Sequence, residues 1–299
     1  MIYLRAFSTP TPEQDENAFY PLSGSFIEKN RQTCRSSVYP FVLFRNRGLP
    51  EEFTFGDITV LCGGNGSGKS TLLNLMAEKL GLQRAAPYNR SDYFEDYTAL
   101  CDYKTAQFIP AHSAILTSDD VFDRMLDIRR VNEGVDGARE ELLREWRENR
   151  YSAQDMRLHG LEDYDRWKTL KEAKKKGGTA SGYVNKRLAR NIEERSNGES
   201  ALELFVNAIK DDALYLLDEP ENSLSPARQL ELKYFLEDCV RRHGCQFILA
   251  THSPFLLALK GARVYDLDHA PVAVKKWTEL ECVEVYRSFF RALEENGTV

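Results

Sequence analysis

Residues 57–81 read DITVLCGGNGSGKSTLLNLMAEKLG, and this stretch decides the fold. Its first six residues form a short, β-branched apolar run of the kind found in strands. The run LLNLMAEKL that follows the glycines has apolar residues at helical spacing and ends at Gly81, a residue that often follows the last turn of a helix. The stretch therefore predicts a strand, a glycine-rich loop and a helix, in that order.

The loop at 63–70 fits the pattern GxxxxGK[ST] at every fixed position. Between a strand and a helix, this pattern predicts a site for a nucleoside triphosphate, whereas a glycine turn without a ligand is the alternative. Backbone N–H groups would wrap the β-phosphate, Lys69 would neutralise the phosphate oxygens, and the Ser70 hydroxyl would hold Mg²⁺. The residues predicted to bind the nucleotide here are Gly63, Gly64, Asn65, Gly66, Ser67, Gly68, Lys69, Ser70 and Thr71.

Two later stretches supply the other groups that such a site needs. In ALYLLDEPE, residues 213–221, Asp218 ends an apolar run and is the predicted second metal ligand, while Glu219 is the predicted general base. In FILATHSP, residues 247–254, His252 follows the next apolar run. Ligands of open α/β sheets bind at this end of the strands, so we expect His252 to contact the γ-phosphate. Alone, the histidine would be structural and DEP an ordinary turn.

Four motifs carry a resemblance to a known family. The stretches GGNGSGKS, SNGES (196–200), LLDEPENSLSP and ATHSP occur in this order. They resemble the Walker A, signature, Walker B with D-loop, and switch-histidine motifs of ABC-type ATPases. The residues of these motifs are more similar to those of the SMC-like and RecF-like ATPases and the small bacterial AAA family ATPases than to those of transporter subunits. The resemblance implies an α/β P-loop NTPase of ABC-ATPase type that uses ATP and Mg²⁺.

In that family, ATP is sandwiched between two protomers, so the resemblance also implies a homodimer that forms on ATP binding. Ser196 and Gly198 would contact the γ-phosphate held by the partner's Walker A loop. The stretch has one glycine where the family's signature usually has two. Gln107 and Gln154 are the candidates for the family's Q-loop, and Tyr39 is the candidate for stacking on adenine.

The chain organisation follows from element order. We expect one domain over 1–299, with a helical and basic insertion at 118–190 in which Gly134 and Gly137 divide the helix. Strands alternate with helices after residue 200, which predicts a mostly parallel central sheet flanked by helices. An N-terminal antiparallel β portion would include IYLRAF (2–7), and YPFVLF (39–44) is a second predicted strand.

Composition limits the partners. The net charge of −6 argues against nucleic-acid binding by the whole surface, but between 166 and 190 nine Lys or Arg accompany one Glu. This segment is a candidate DNA contact, with a solvated lid or linker as the alternative. The six cysteines form no CxxC pair and no metal-site pattern, so we expect them to be reduced. No apolar stretch is long enough for a membrane span, and the expected location is cytoplasmic.

Three functions remain open at this stage. The first is an ATPase that drives a clamp or switch on DNA or on a partner protein. The second is a nucleotide-gated regulatory subunit of a defence or toxin system, acting on a partner such as a nuclease. The third is the nucleotide-binding subunit of a transporter, which the motif wording disfavours.

Overall fold

The computed structural model describes residues 1–18, 39–151, 164–174 and 197–295, together with positions 179, 181, 184 and 188. The strands are β1 (Leu4–Ser8), β2 (Phe53–Thr54), β3 (Ile58–Cys62), β4 (Asp102–Thr105), β5 (Ala114–Thr117), β6 (Leu214–Asp218), β7 (Gln246–Thr251), β8 (Arg263–Asp266) and β9 (Ala273–Lys275). The helices are α1 (Lys69–Leu80), α2 (Phe94–Leu100), α3 (Ser118–Tyr151), α4 (Tyr164–Ala173), α5 (Asn197–Ala208), α6 (Pro226–Arg242), α7 (Pro254–Leu257) and α8 (Glu281–Glu295). Residues 12–18 are also helical, and Trp277–Glu279 form a 3-10 turn.

The larger sheet has six strands in the order β5-β6-β7-β3-β8-β9. The first five run parallel and β9 is antiparallel to β8. Every residue of β3 and β7 is buried, which is the pattern expected when a parallel sheet is covered on both faces. The predicted α/β fold with a mostly parallel central sheet is confirmed.

A second, antiparallel sheet has the order β2-β1-β4 and confirms the predicted N-terminal β portion. The fully buried Gln246 at the start of β7 joins it to the larger sheet. Its Oε1 accepts the N–H groups of Tyr3 and Leu4 at 2.8 and 2.9 Å. Its Nε2 donates to the carbonyls of Leu4 and Gly56 at 2.8 and 2.9 Å. One side chain thus fixes the position of β1 against the parallel strands.

The helix after the glycine loop is anchored along its length. Leu72, Leu73, Leu75 and Met76 of α1 are fully buried in the main core. The helix ends where predicted, at Gly81, whose φ of 63° lies in the left-handed region that glycine adopts readily. Burial of these side chains fixes the start of α1, and therefore the glycine loop, against the sheet.

The predicted strand at 39–44 is wrong, because residues 39–47 form turns and bends. Val42 has a φ of 73°, which no strand residue adopts. Turn bonds take up the backbone, with the Leu43 N–H donating to the Pro40 carbonyl and the Arg45 N–H to that of Val42. The apolar pattern arises because Phe41 and Phe44 are both buried from a turn.

The predicted break of the insertion helix is also wrong. Helix α3 runs for 34 residues through Gly134 and Gly137. A glycine inside a helix costs about 1 kcal/mol relative to alanine, which weakens a helix without ending it. A Cβ added to either glycine would meet nothing within 4 Å, so neither position requires glycine for a close approach.

The chain divides into two compact units. The first comprises Met1–Val121 and Asn197–Val299 and contains both sheets, and the second comprises Phe122–Ser196. In the second unit, the Arg150 guanidinium of α3 donates to the carbonyl of Ala173 in α4 at 2.8 Å. None of the helices in the described ranges combines the length and low charge that a membrane crossing needs.

Candidate functional site

Strand register brings the motif residues to one edge of the larger sheet. Cys62, the last residue of β3, pairs with Thr251 of β7 and with Asp266 of β8. Asp218, the last residue of β6, pairs with Ala250 of β7. The glycine loop after Cys62 therefore begins at the same sheet edge as the ends of β6, β7 and β8.

The glycine loop needs glycine at two positions for steric reasons. A Cβ on Gly63 would lie 2.6 Å from the Ser67 hydroxyl oxygen. Gly68 has a φ of 94°, and a Cβ there would lie 2.6 Å from Cε1 of Phe44. Both distances are far below van der Waals contact. The turn at 39–47 thus packs directly on the loop through Phe44.

Lys69 is held inside the loop, and only 4% of it is exposed. Its ammonium donates to the carbonyls of Gly63 and Gly64 at 2.6 and 3.0 Å. It also lies 3.9 Å from a carboxylate oxygen of Glu219. A buried cation at the mouth of a glycine loop can bind phosphate oxygens as a point charge.

Ser70 and Asp218 form a pair suited to a hard cation. The Ser70 hydroxyl donates to Oδ1 of Asp218 at 3.0 Å, which leaves the serine lone pairs available. Burial raises the pKa of Asp218 to about 6, against the hydrogen bond from Ser70, while the Glu219 charge raises it further. Oxygen ligands of this kind suit Mg²⁺ bound jointly with phosphate. Among the described residues, no cluster of three or more His, Cys, Asp or Glu side chains could hold a metal by itself.

Glu219 is fixed by its backbone and by a neighbouring amide. Its φ of 47° is left-handed, and its N–H donates to the Ala250 carbonyl at 2.9 Å. The Asn222 amide donates to Oε2 of Glu219 at 3.0 Å, while Oε1 is the oxygen that lies 3.9 Å from Lys69. This arrangement leaves a carboxylate beside the lysine, where it could accept a proton from water.

Glu221, which the motif analysis did not single out, organises the end of β7. It is 5% exposed and accepts the Thr251 hydroxyl at 2.6 Å and the His252 N–H at 2.9 Å. The N–H of Ser253 donates to the same oxygen at 3.2 Å. The His252 ring is half exposed, with Nδ1 3.5 Å from that oxygen. The sequence signal that could have identified Glu221 is its place as the third acidic residue of DEPE, directly after a predicted buried strand.

A cavity of about 310 Å³ opens at the loop. This volume lies at the small end of the range of ligand pockets. The Tyr39 hydroxyl donates to the Thr71 hydroxyl at 3.0 Å, which places the aromatic candidate at the cavity wall. The lining residues are Tyr39, Leu43, Asn65, Gly66, Ser67, Gly68, Lys69, Ser70, Thr71 and Glu219.

Two further residues contact the loop, one from the turn at 39–47 and one from beyond β8. The Arg47 guanidinium donates to the Gly66 carbonyl at 2.6 Å. The Asp268 carboxylate accepts the Gly64 N–H at 2.7 Å. Neither belongs to a motif, and the Asp268 contact depends on the pairing of β8 with β3, which local sequence does not encode.

The remaining predicted residues either fall outside the described part of the chain or are not among the residues that line the cavity. Ser196 and Gln154 lie outside the described residues, and Gly198 lies in the first turn of α5. Gln107 follows β4 of the smaller sheet and does not line the cavity. Of the basic segment at 166–190, the structure describes residues 166–174 and positions 179, 181, 184 and 188.

Residues 82–258 match a family described as "AAA domain, putative AbiEii toxin, Type IV TA system". The match begins after α1 and does not include the glycine loop. The assignment of this loop as a phosphate site therefore depends on its sequence motif and its geometry. A comparison with curated proteins finds no match.

Three solved structures illustrate the structural likeness. The first is an "inward-facing conformation of a putative metal-chelate type ABC transporter", with 19% identity, 80% of each chain covered and a TM-score of 0.36. The second is the Smc head domain of Pyrococcus furiosus bound to the C-terminal domain of ScpA, with 14% identity, 81% of this chain and 95% of that chain covered, and a TM-score of 0.38. The third is an Smc head bound to the C-winged helix domain of ScpA, with 17% identity, 75% and 91% covered, and a TM-score of 0.38.

Proposed function

We propose that this chain, which belongs to the AAA domain family described as "putative AbiEii toxin, Type IV TA system", binds and hydrolyses ATP. One observation carries the proposal. A buried lysine at the start of a helix sits within a glycine loop, beside one carboxylate and next to a serine bonded to another. This combination of groups suits phosphoryl transfer to water, in which positioning and charge neutralisation supply most of the catalysis.

Binding would use lining residues of the cavity together with Gly63, Gly64 and Asp218, which adjoin Asn65 and Ser70. Backbone N–H groups of residues 63–71 would surround the phosphates, with the N-terminal end of α1 adding positive potential. Lys69 would exchange its two carbonyl acceptors for phosphate oxygens. Ser70 and Asp218 would hold Mg²⁺, which supplies charge neutralisation on the phosphates when bound. Tyr39 would bound the site on the side of Thr71.

Hydrolysis would depend on Glu219. Its carboxylate would accept a proton from the attacking water, and the Asn222 amide would hold its other oxygen in place. His252 would contact the γ-phosphate, with its backbone fixed by the buried Glu221. Lys69 lies 3.9 Å from the Glu219 carboxylate, so ATP binding by Lys69 and hydrolysis by Glu219 would be coupled by short-range electrostatics.

We further propose that ATP joins two copies of the chain. Ser196, which directly precedes α5 in the sequence, and Gly198 in the first turn of α5 would contact the γ-phosphate bound to the other copy's loop. The motif order motivates this proposal. Closure of the dimer would then provide the clamp or switch that acts on DNA or on a partner protein.

The test combines binding, hydrolysis and size. Glu219→Gln removes the proton acceptor and keeps the shape, so we expect hydrolysis to slow by about a hundredfold or more and a dimer to accumulate with ATP and Mg²⁺. Lys69→Ala should lose ATP binding. Asp238→Asn, on the exposed side of α6, is the control and should behave like the wild type. Normal ATP binding by Lys69→Ala would contradict the site, and a monomeric Glu219→Gln protein at saturating ATP would contradict the dimer.

The second candidate function is a nucleotide-gated regulatory subunit in a toxin system, acting on a partner protein such as a nuclease. The family description, which names a toxin and a type IV toxin–antitoxin system, favours it. Expression of the Glu219→Gln variant distinguishes the two. A growth phenotype that persists in Glu219→Gln but is lost in Lys69→Ala would indicate gating by bound ATP. A phenotype lost in both of these variants would indicate an action driven by ATP hydrolysis.

DNA binding would use the basic segment 166–190. The described part shows Lys168 and Lys171 exposed on α4. If they contact phosphates, affinity should fall steeply with salt because bound counterions are released. Unchanged DNA migration at low salt with ATP and the Glu219→Gln protein would reject this role. No observation favours a transporter subunit.

A further inference from the structure

Two cysteines from distant parts of the chain meet at the base of the glycine loop. The Cys62 and Cys282 sulfurs lie 3.7 Å apart, although the residues are 220 positions apart in sequence. Cys62 is the last residue of β3 and directly precedes Gly63. Cys282 lies in the first turn of α8. The mechanism proposed above uses neither thiol.

We infer that Cys62 and Cys282 form a peroxide-sensitive modification site, whose oxidation to a disulfide restrains the glycine loop and slows ATP hydrolysis. The inference about hydrolysis rests on the proposed function, but formation of the disulfide does not. A disulfide requires sulfurs about 2.05 Å apart, so the two need to close by about 1.7 Å.

The two thiols differ in the way that such a reaction needs. Cys62 is 2% exposed, whereas Cys282 is only partly buried, so an oxidant reaches Cys282 first. A hydrogen bond from the Cys62 thiol lowers the pKa of Cys282 to about 7, against burial and the nearby Asp266 and Asp268 charges. The same bond and burial raise the pKa of Cys62. Cys282 is therefore the nucleophile, because the thiolate is the reactive form.

The chemistry is balanced with a hydroperoxide as the oxidant. The Cys282 thiolate attacks one peroxide oxygen and becomes a sulfenic acid, and the hydroxide released leaves as water with the thiol proton. The Cys62 sulfur then attacks the sulfenic sulfur, which forms the S–S bond and releases a second water. Two thiols and one hydrogen peroxide thus give one disulfide and two waters. The sulfurs are oxidised and the peroxide oxygens are reduced.

The location explains why the bond would affect the nucleotide site. The N–H of Leu267 holds the Cys62 carbonyl at 2.8 Å. Because this bond resists displacement, movement of the Cys62 side chain toward Cys282 would strain the peptide that joins Cys62 to Gly63. The Gly63 carbonyl accepts Lys69, and Gly63 has no free space beside Ser67. Misplacement of a catalytic group by about 1 Å can cost about a hundredfold in rate. We expect hydrolysis by the oxidised protein to be about tenfold slower or more.

The test oxidises purified reduced protein with stoichiometric hydrogen peroxide and maps crosslinked peptides after alkylation of the remaining thiols. We expect a peptide joining Cys62 to Cys282 and hydrolysis slower by about tenfold or more. Reduction should remove the crosslinked peptide and restore hydrolysis. Cys282→Ser should form no such peptide and keep its activity under peroxide. Cys239→Ser, which removes a buried thiol of α6, is the control and should behave like the wild type.

Several outcomes would overturn the inference. It fails if the wild type yields no Cys62–Cys282 peptide, or if the crosslink forms without slowing hydrolysis. Loss of activity in Cys282→Ser on oxidation would place the sensitive thiol elsewhere. Reduced protein that never hydrolyses ATP would reject the proposed function, while the peptide map would still decide the disulfide.

Discussion

Replacing Asp218 with asparagine should stabilise the nucleotide-free protein while removing its activity. The pKa of Asp218 is about 6 in the folded chain, against 3.8 for an ordinary aspartate, and burial is the main cause. A carboxyl group whose pKa is raised by folding binds its proton more tightly in the native state. Its ionisation therefore destabilises the fold as the pH rises through 3.8 to 6.

The magnitude follows from the difference between these two pKa values. Above about pH 6.5, the full penalty is about 3 kcal/mol, and at pH 5 it is roughly half of that. Asparagine keeps an oxygen that accepts the Ser70 hydroxyl but never ionises. We therefore expect Asp218→Asn to raise Tm by about 6 °C at pH 7.5 and by about 3 °C at pH 5.

Thermal unfolding at both pH values without nucleotide or Mg²⁺ measures this effect. Asp238→Asn is a matched control, because its Arg241 partner lowers the pKa of this exposed carboxyl, so no gain is expected. The reasoning would be refuted if Asp218→Asn lowered Tm at pH 7.5. A gain of equal size at pH 5 and pH 7.5 would also refute it, since the ionised carboxylate would then not be its source.

Three other predictions concern the glycine loop, the end of β7 and the junction of the two sheets. Gly68→Ala should abolish nucleotide binding and cost about 1–3 kcal/mol of stability, because the φ of Gly68 is 94° and the new Cβ would meet Phe44. Gly134→Ala in α3 is the control and should stabilise the protein by about 0.5–1 kcal/mol. Fluorescent-nucleotide titration and thermal unfolding measure the two effects, and equal results for the two variants would contradict the steric role of Gly68. Glu221→Ala should cost about 3–5 kcal/mol and slow hydrolysis, because buried donors of β7 and its following turn lose their acceptor; a fully active, stable variant would show that these bonds are dispensable. Gln246→Leu should cost about 2–4 kcal/mol in urea unfolding, since the Tyr3 and Leu4 N–H groups lose their partner, and a neutral result would show that water replaces it.

The parts of the fold that the sequence predicts best are those with local signals. The strand–loop–helix unit, the buried runs of β6 and β7 and the start of α6 at Pro226 each have a local pattern, and the structure contains all of them. Ser225 caps α6 by accepting the Arg228 N–H, as Ser-Pro at a helix start indicates. Short apolar runs were less reliable, because Phe41 and Phe44 are buried from a turn and not from a strand.

For the site, sequence patterns identify the groups with recognisable spacing but not those placed by tertiary pairing. Lys69, Ser70 and Asp218 meet because β3 and β6 both flank β7. Arg47 and Asp268 reach the loop from a turn and from the end of β8, so only the assembled sheet reveals them. The predicted break in α3 is wrong for an energetic reason, since two glycines do not outweigh the helix formers around them.

The strand order also determines when the site can form during synthesis. Strand β3 lies between β7 and β8, which begin 188 (246 − 58) and 205 (263 − 58) positions after it in the chain. Once the glycine loop of a nascent chain has emerged from the ribosome, the apolar strand β3 therefore has neither neighbouring strand until most of the protein has been synthesised. Such delayed, long-range pairing slows folding and leaves the edges of β3 unpaired and prone to aggregation. We expect ATP to stabilise only the finished fold, so nucleotide could not assist the chain during the interval in which it is most prone to aggregate.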